Sequence, residues 1–192
     1  MIFIYFKQTI LHVLLVFLLL FGISDKTIAH EVTPNIADIY IEGKSISIDL
    51  RLNVEAFLAD ISLAGLSDTD EAEQIDTYRK IRNLSAKELE AKLIQSWVKF
   101  SPLIEAKLSE TETLSDWKLS AFSVDDVKNS QLPRLSQVSF SLMTGERIAT
   151  LSFRFDERLG STIIRQIGIE NGLTEVLEPG QESAKIVIGN DK

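Results

Sequence analysis

The stretch Ser45–Val54, with the sequence SISIDLRLNV, decides the fold class predicted for this chain. Apolar and polar side chains alternate strictly along it: Ile46, Ile48, Leu50, Leu52 and Val54 are separated by Ser47, Asp49, Arg51 and Asn53. A period of two residues is typical of a β-strand with one buried face. The apolar segment Ile36–Glu42 lies just before it, across Gly43-Lys44, so the two segments predict a β-hairpin.

Short β-like segments return after Phe100. They are Leu103–Leu108, Trp117–Val124, Gln137–Leu142, Ile148–Phe155, Ser161–Ile169, Leu173–Leu177 and Ala184–Ile188. Thr144-Gly145 and Asn171-Gly172 are turn signals between neighbours, and the second is a strong cue for a two-residue hairpin. Many short strands with close turns predict a mainly β fold, as an antiparallel β-sandwich that is either Ig-like or a partial barrel.

A two-helix insertion is predicted at about residues 69–99. The first helix follows the acidic stretch Ser67–Asp70, and apolar residues then recur every third position at Ala72, Ile75, Tyr78 and Ile81. The second helix begins at Ser85-Ala86-Lys87-Glu88, which matches the capping box. Leu89, Leu93 and Trp97 then form its apolar face.

Residues 1–29 have the order of a secretory signal peptide. Lys7 precedes the apolar run 10–23, and the small-residue exit Thr27-Ile28-Ala29 predicts cleavage after Ala29. The alternative is an uncleaved N-terminal membrane anchor, although the run falls short of the ~20 residues that span a bilayer. Residues 30–192 are then predicted to form a single exported domain, with no later segment of membrane-spanning length.

Charge and cysteine content limit the function classes. Cleavage would remove Lys7, Lys26 and Asp25, so the formal charge of −8 would become −9. Such a surface repels nucleic acid. The chain has no cysteine, which excludes disulfides, thiolate metal sites and a cysteine nucleophile. An exported domain without disulfides fits the bacterial periplasm best, so we predict a periplasmic protein.

His30 would be the first residue of the exported chain and its sole remaining histidine. Its α-amine and imidazole would form a chelating pair suited to copper or nickel. A further ligand would have to be a carboxylate, and the candidates are Glu31, Asp38, Asp68 and Asp70. The alternative is that His30 is an ordinary residue after the cleavage site, with no ligand role.

Other chemistry has weaker signals. The acidic residues at 68–76 are better explained as helix N-terminal caps than as calcium ligands. The sequence contains no nucleophile elbow, phosphate loop or zinc-protease motif, and no carboxylate pair stands out for glycoside hydrolysis. We therefore predict that the protein is not an enzyme; the enzymatic alternative is a carboxylate-based hydrolase, which needs a cleft with two carboxyl groups within ~5–10 Å of each other. The aromatic residues are interpreted as core: Trp97, Trp117, Phe140, Phe153 and Phe155.

Several short motifs resemble one family. They are His30-Glu31-Val32 with Pro34 directly after the leader, Leu66–Asp70 with Tyr78, Arg82 and Leu84, Arg165-Gln166, Glu170-Asn171-Gly172, and Pro179-Gly180 with Ser183. Together they are similar to the extracytoplasmic domain of HupE/UreJ-like membrane proteins, over most of residues 30–188. The resemblance implies a periplasmic module that serves nickel or cobalt handling. No membrane helices follow this domain here, so the resemblance implies either that the membrane part is a separate chain, an integral membrane partner, or that the domain has been freed for binding.

Two functions follow as predictions. The first is an exported, non-enzymatic periplasmic module, accessory to divalent metal handling (nickel, cobalt or copper), with His30 as the metal ligand. The second is a protein-interaction or structural domain that docks on a membrane partner and has no metal role.

Overall fold

The computed structural model describes residues 32–125 and 134–188. The predicted signal peptide, residues 1–29, and the predicted metal ligand His30 lie outside these ranges. In the described part, no helix is both long and apolar enough to cross a bilayer.

The described chain is mainly β, with two sheets and three α-helices. The strands are β1 (Asn35–Glu42), β2 (Ser45–Leu52), β3 (Ile104–Lys107), β4 (Thr113–Leu114), β5 (Lys118–Val124), β6 (Ser136–Met143), β7 (Thr150–Phe155), β8 (Thr162–Gln166), β9 (Thr174–Leu177) and β10 (Ile186–Val187). The larger sheet has six strands in the order β5-β6-β2-β1-β8-β9, and the smaller has four in the order β10-β7-β3-β4. The mainly β prediction is therefore confirmed.

The predicted hairpin forms the centre of the six-stranded sheet. β1 and β2 pair antiparallel from Ile36 opposite Arg51 to Glu42 opposite Ser45. Gly43 in the turn has φ +61°, a conformation that favours glycine. The alternating residues of β2 are buried on one face and half-buried on the other, as the period of two predicts.

The prediction of a purely antiparallel arrangement is wrong at one place. β1 pairs parallel with β8, from Asn35 beside Thr162 to Ile39 beside Gln166. The chain between these strands builds β2, β5 and β6 of the larger sheet, the helices and three strands of the smaller sheet before it returns beside β1. This long connection allows β8 to enter the larger sheet beside β1 in the same direction, which a tight turn cannot do.

The helices are α1 (Val54–Leu58), α2 (Ile75–Arg82) and α3 (Ala86–Phe100), so the two-helix prediction missed α1. β2 ends before Val54 because the Asn53 side chain accepts a hydrogen bond from the Ala56 amide at 3.0 Å and caps α1. The capping box of α3 is confirmed, since the Ser85 hydroxyl accepts from the Glu88 amide and the Ser85 amide donates to the Glu88 carboxylate.

The first predicted helix begins later than its periodicity suggested. The Asp68 carboxylate accepts from the Asp70 amide at 2.8 Å and caps a single 3₁₀ turn, Thr69–Glu71. Ala72 then has extended backbone, and α2 starts only at Ile75. The other 3₁₀ turns in the described part are Ser101–Leu103 and Glu157–Leu159.

The two turn signals of the C-terminal half had different outcomes. Thr144-Gly145 follows β6, but β6 and β7 belong to different sheets, so this turn carries the chain between sheets and does not join neighbours. β8 and β9 are antiparallel neighbours, yet their connection runs from 167 to 173 and is longer than the predicted hairpin. Gly172 is required there, because a Cβ would lie 2.6 Å from the Gln166 carbonyl oxygen.

Both sheets contribute to one hydrophobic core. Ile48 and Phe140 from the larger sheet and Ile104 and Phe153 from the smaller sheet are almost fully buried members of a single cluster. Trp117 links the sheets, because its indole N–H, just before β5, donates to the Ile104 carbonyl of β3 at 2.7 Å. The interpretation of the predicted aromatic residues as core is confirmed, with Trp97 only partly buried.

Candidate functional site

The residues predicted to bind metal are not brought together in the described part. His30 and Glu31 lie outside it, and Asp38 is held by Arg165. Asp68 caps the turn at 69–71, and Asp70 lies 3.4 Å from Arg79. Among the residues that the structure describes, no three His, Cys, Asp or Glu side chains gather as a metal site would require.

An outward-facing surface of the larger sheet is the most distinctive exposed feature. Strand pairing, together with the alternation of side chains along each strand, places seven residues on the same side of three adjacent strands. We call this surface the β1–β8–β9 face; it consists of Ile36, Asp38, Tyr40, Ile163, Arg165, Thr174 and Val176.

Most of the β1–β8–β9 face is apolar although it contacts solvent. Ile36, Ile163 and Val176 form a row across the three strands, and Val176 is 57 % exposed. Tyr40 is 36 % exposed, as is Ile167, which directly follows β8 and donates its amide to the Ile39 carbonyl. Apolar side chains that cluster on a solvent-facing sheet are typical of an interaction surface.

An ion pair lies at the centre of this face. The Arg165 guanidinium donates to both carboxylate oxygens of Asp38, with both distances 2.6 Å. This hydrogen bonding raises the pKa of Arg165, and a smaller contribution comes from nearby Tyr40. The paired geometry fixes both side chains and partly desolvates them, so the face combines apolar area with a preorganised polar pair.

The remainder of the same sheet face is mostly polar. On β2 and β6 it carries Ser47, Asp49, Ser139 and Ser141, which are in register across the two strands. Asp49 lies opposite Asp38, and its carboxylate accepts a 2.6 Å hydrogen bond from the Ser139 hydroxyl. Apart from Met143 at the end of β6, which is 72 % exposed, the large apolar side chains of this sheet face therefore lie on its β1, β8 and β9 side.

A polar cleft of about 420 Å³ lies beside the smaller sheet. Within it Glu182 accepts hydrogen bonds from Lys107 at 2.5 Å and from the Ser152 hydroxyl at 2.6 Å. These bonds lower the pKa of Glu182. A general acid for glycoside hydrolysis needs a raised pKa, so Glu182 is unsuited to that role. Ser152 is almost fully buried, which makes it a poor nucleophile for a substrate in the cleft.

A buried ion pair was missed by the sequence analysis. Glu55 of α1 is fully buried, and its Oε1 accepts from the Arg134 Nε at 2.6 Å. Arg134 also donates to the Leu84 carbonyl between α2 and α3 at 3.0 Å. The pair therefore connects the helical segment to the chain just before β6, and its position indicates a structural role.

The β1–β8–β9 face was also missed, for a physical reason. Asp38 and Arg165 are 127 residues apart, and nothing in either local sequence indicates the partner. One local signal was present: Ile163 and Ile164 are consecutive, so a strand through them must have apolar side chains on both faces.

Comparison with protein-family models gives no match, and no curated protein matches this sequence. The similarity to HupE/UreJ-like proteins stays a prediction that is based on the short motifs alone.

Proposed function

We propose that this protein is an exported, non-enzymatic docking module that binds a membrane-anchored protein through its β1–β8–β9 face. The observation that carries this proposal is the group of apolar side chains around the Asp38–Arg165 pair: Ile36 and Ile163 are half-buried, and Val176, Tyr40 and Ile167 are exposed. Interfaces between proteins commonly combine an apolar centre with fixed polar groups. The signal-like segment 1–29 supports export to the periplasm, and the HupE/UreJ-like motifs support an integral membrane partner.

For the fold, we infer that the two sheets pack face to face as a β-sandwich. The shared core and the Trp117 hydrogen bond between the sheets support this arrangement. An Ig-like order of strands is less well supported, because the parallel pairing of β1 and β8 departs from a wholly antiparallel sandwich.

The docking proposal predicts that the double variant Tyr40→Asp, Ile167→Asp loses membrane association. The full chain would be expressed with its own leader, and the exported protein that copurifies with the membrane fraction would be measured. We expect at least a tenfold reduction, because two charges would have to be desolvated in the interface.

The matched control is Ile94→Asp, Val98→Asp on α3. These side chains are 55 % and 77 % exposed, so the control changes the same amount of charge on a different surface. We expect it to associate with membranes as the unaltered protein does. Equal association of both double variants would contradict docking through the β1–β8–β9 face.

The second candidate function is divalent metal handling through His30. The observation that favours it is that His30 would be both the first residue and the sole histidine of the exported chain. In this proposal its α-amine and imidazole bind nickel, cobalt or copper.

The metal proposal predicts stoichiometric binding that depends on the free N-terminus. The protein exported with its own leader would be titrated with each metal by calorimetry, beside His30→Ala and a variant with one alanine inserted before His30. We expect both changes to reduce the affinity at least tenfold, because each removes one half of the chelate. Unchanged affinity in either variant would rule out this ligand pair.

A further inference from the structure

β9 is the last strand of the six-stranded sheet, and part of its backbone faces away from β8. The Gln166 amide donates to the Leu173 carbonyl at 2.7 Å, so residue 173 is bonded on the side of strand β8. In an antiparallel pair every second residue is bonded to the neighbouring strand in this way. Residues 173, 175 and 177 accordingly direct their backbone groups toward β8. Thr174 and Val176 direct theirs to the free edge, where no described strand follows.

The two edges of this sheet are protected differently. At the opposite edge, β5 carries Lys118 and an irregularity in its pairing between Leu119 and Ala121. A bulge and an edge lysine both oppose the addition of a further strand. β9, with the sequence TEVL, has neither a lysine nor a proline, and its pairing with β8 is regular.

The charge around β9 favours a cationic partner. Residues 166–184 contain four glutamates and no basic residue; of the two cations that flank this range, Arg165 is paired with Asp38, and the other is Lys185. Glu182 is paired with Lys107, and Glu175 accepts from the Ala184 amide, while Glu170 and Glu178 are exposed. A second copy of this chain would bring the same glutamates together, so pairing of β9 with itself is disfavoured.

We propose that β9 accepts an extended, lysine- or arginine-rich segment of the docking partner as a seventh strand. This inference rests on the proposed docking function and names the chemistry of the partner. The backbone of the added segment bonds to Thr174 and Val176, and its cationic side chains face Glu170 and Glu178. β9 has only four residues, so its free edge offers few backbone hydrogen bonds to an added strand. For stable binding, apolar side chains of the segment must therefore also cover Val176 and Ile163.

The test uses a ten-residue peptide of alternating lysine and valine, with a glutamate–valine peptide of the same length as its charge control. Both would be titrated into the ¹⁵N-labelled exported protein and followed by NMR. We expect the lysine peptide alone to bind, to slow amide exchange at Thr174 and Val176, and to bind more weakly as salt is added. Equal binding of the glutamate peptide, or unchanged exchange at both amides, would overturn the proposal.

Val176→Pro removes the backbone N–H that Val176 directs to the free edge of β9. Proline is tolerated where the N–H faces away from the ladder, so pairing with β8 should persist. We expect this variant to bind the lysine peptide at least tenfold more weakly than Val176→Ile, which keeps the amide. If Val176→Pro does not fold, Glu170→Lys, Glu178→Lys changes two exposed side chains and should weaken binding to a similar degree; unchanged affinity would overturn the proposal.

Membrane association separates this inference from the docking function. If Val176→Pro associates with membranes normally while Tyr40→Asp, Ile167→Asp does not, docking stands and strand addition at β9 is wrong. If the unaltered protein fails to associate with membranes but binds the lysine peptide at β9, the edge site stands and the proposed docking function is wrong.

Discussion

Replacing Trp117 with alanine is expected to lower the free energy of unfolding by about 3–5 kcal/mol, a large share of the about 5–15 kcal/mol typical of whole domains. The indole is 2 % exposed and packs edge-on against Phe140, with the ring centroids 5.1 Å apart. Its removal leaves a cavity where the two sheets meet. It also leaves the Ile104 carbonyl of β3 without its side-chain donor.

Trp117→Phe keeps an aromatic ring in the core while it removes the indole N–H and part of the ring volume, so its loss should be smaller than that of Trp117→Ala. We expect a loss of about 1–3 kcal/mol, because the buried Ile104 carbonyl loses its 2.7 Å hydrogen bond. Urea unfolding followed by circular dichroism measures both variants. Val98→Ala, at a side chain that is 77 % exposed, is the control and should change stability by less than about 0.5 kcal/mol. Unaltered stability in Trp117→Phe would contradict the assigned link between the sheets.

Arg134→Met is expected to lower the free energy of unfolding by about 3–5 kcal/mol, because it leaves the Glu55 carboxylate buried without its cation. Glu55 is fully buried, and its Oε2 has no hydrogen-bond partner among the described residues. The methionine also cannot donate to the Leu84 carbonyl. Urea unfolding midpoints at neutral pH measure the effect.

Arg154→Met is the matched control for burial. Arg154 is paired with a glutamate as Arg134 is, donating through two nitrogens to Glu105, but its side chain is 46 % exposed. Exposed ion pairs contribute little, so we expect a loss of about 0–1 kcal/mol. The double variant Glu55→Leu, Arg134→Met should recover most of the stability, because no unpaired charge stays buried. A double variant that is as unstable as Arg134→Met would contradict this explanation.

Local sequence was sufficient for much of the fold. The alternation in Ser45–Leu52 and the capping box at Ser85 are local signals, and the structure confirms both. The predicted boundaries were wrong where a single hydrogen bond from a backbone amide to a side chain decides where a helix or strand begins or ends. The Asn53 cap ends β2 and starts α1, and the Asp68 cap replaces a helical turn with a 3₁₀ turn. Asn and Asp occur both as helix caps and in loops, so the residue type alone does not show which role it has. The backbone amide that the side chain bonds shows it, and that amide is known only from the structure.

Long-range pairing was beyond local sequence. The parallel pairing of β1 with β8 joins residues more than a hundred positions apart, and it creates the β1–β8–β9 face. The period of two predicts that Asp38 and Tyr40 share one side of β1, but not which strand lies beside them. The candidate docking surface therefore depended on the structure, whereas the absent cysteines, the position of His30 and the prediction of export came from the sequence.

The most direct test of docking through the β1–β8–β9 face is site-specific photocrosslinking in cells that export the full chain. The crosslinker would replace Tyr40 on this face, and Ser123 on β5, an exposed position at the opposite edge of the same sheet, would be the control. The proposal predicts a crosslinked product with one membrane protein from position 40 and none from position 123. No membrane-protein product from position 40, or equal products from both positions, would contradict it.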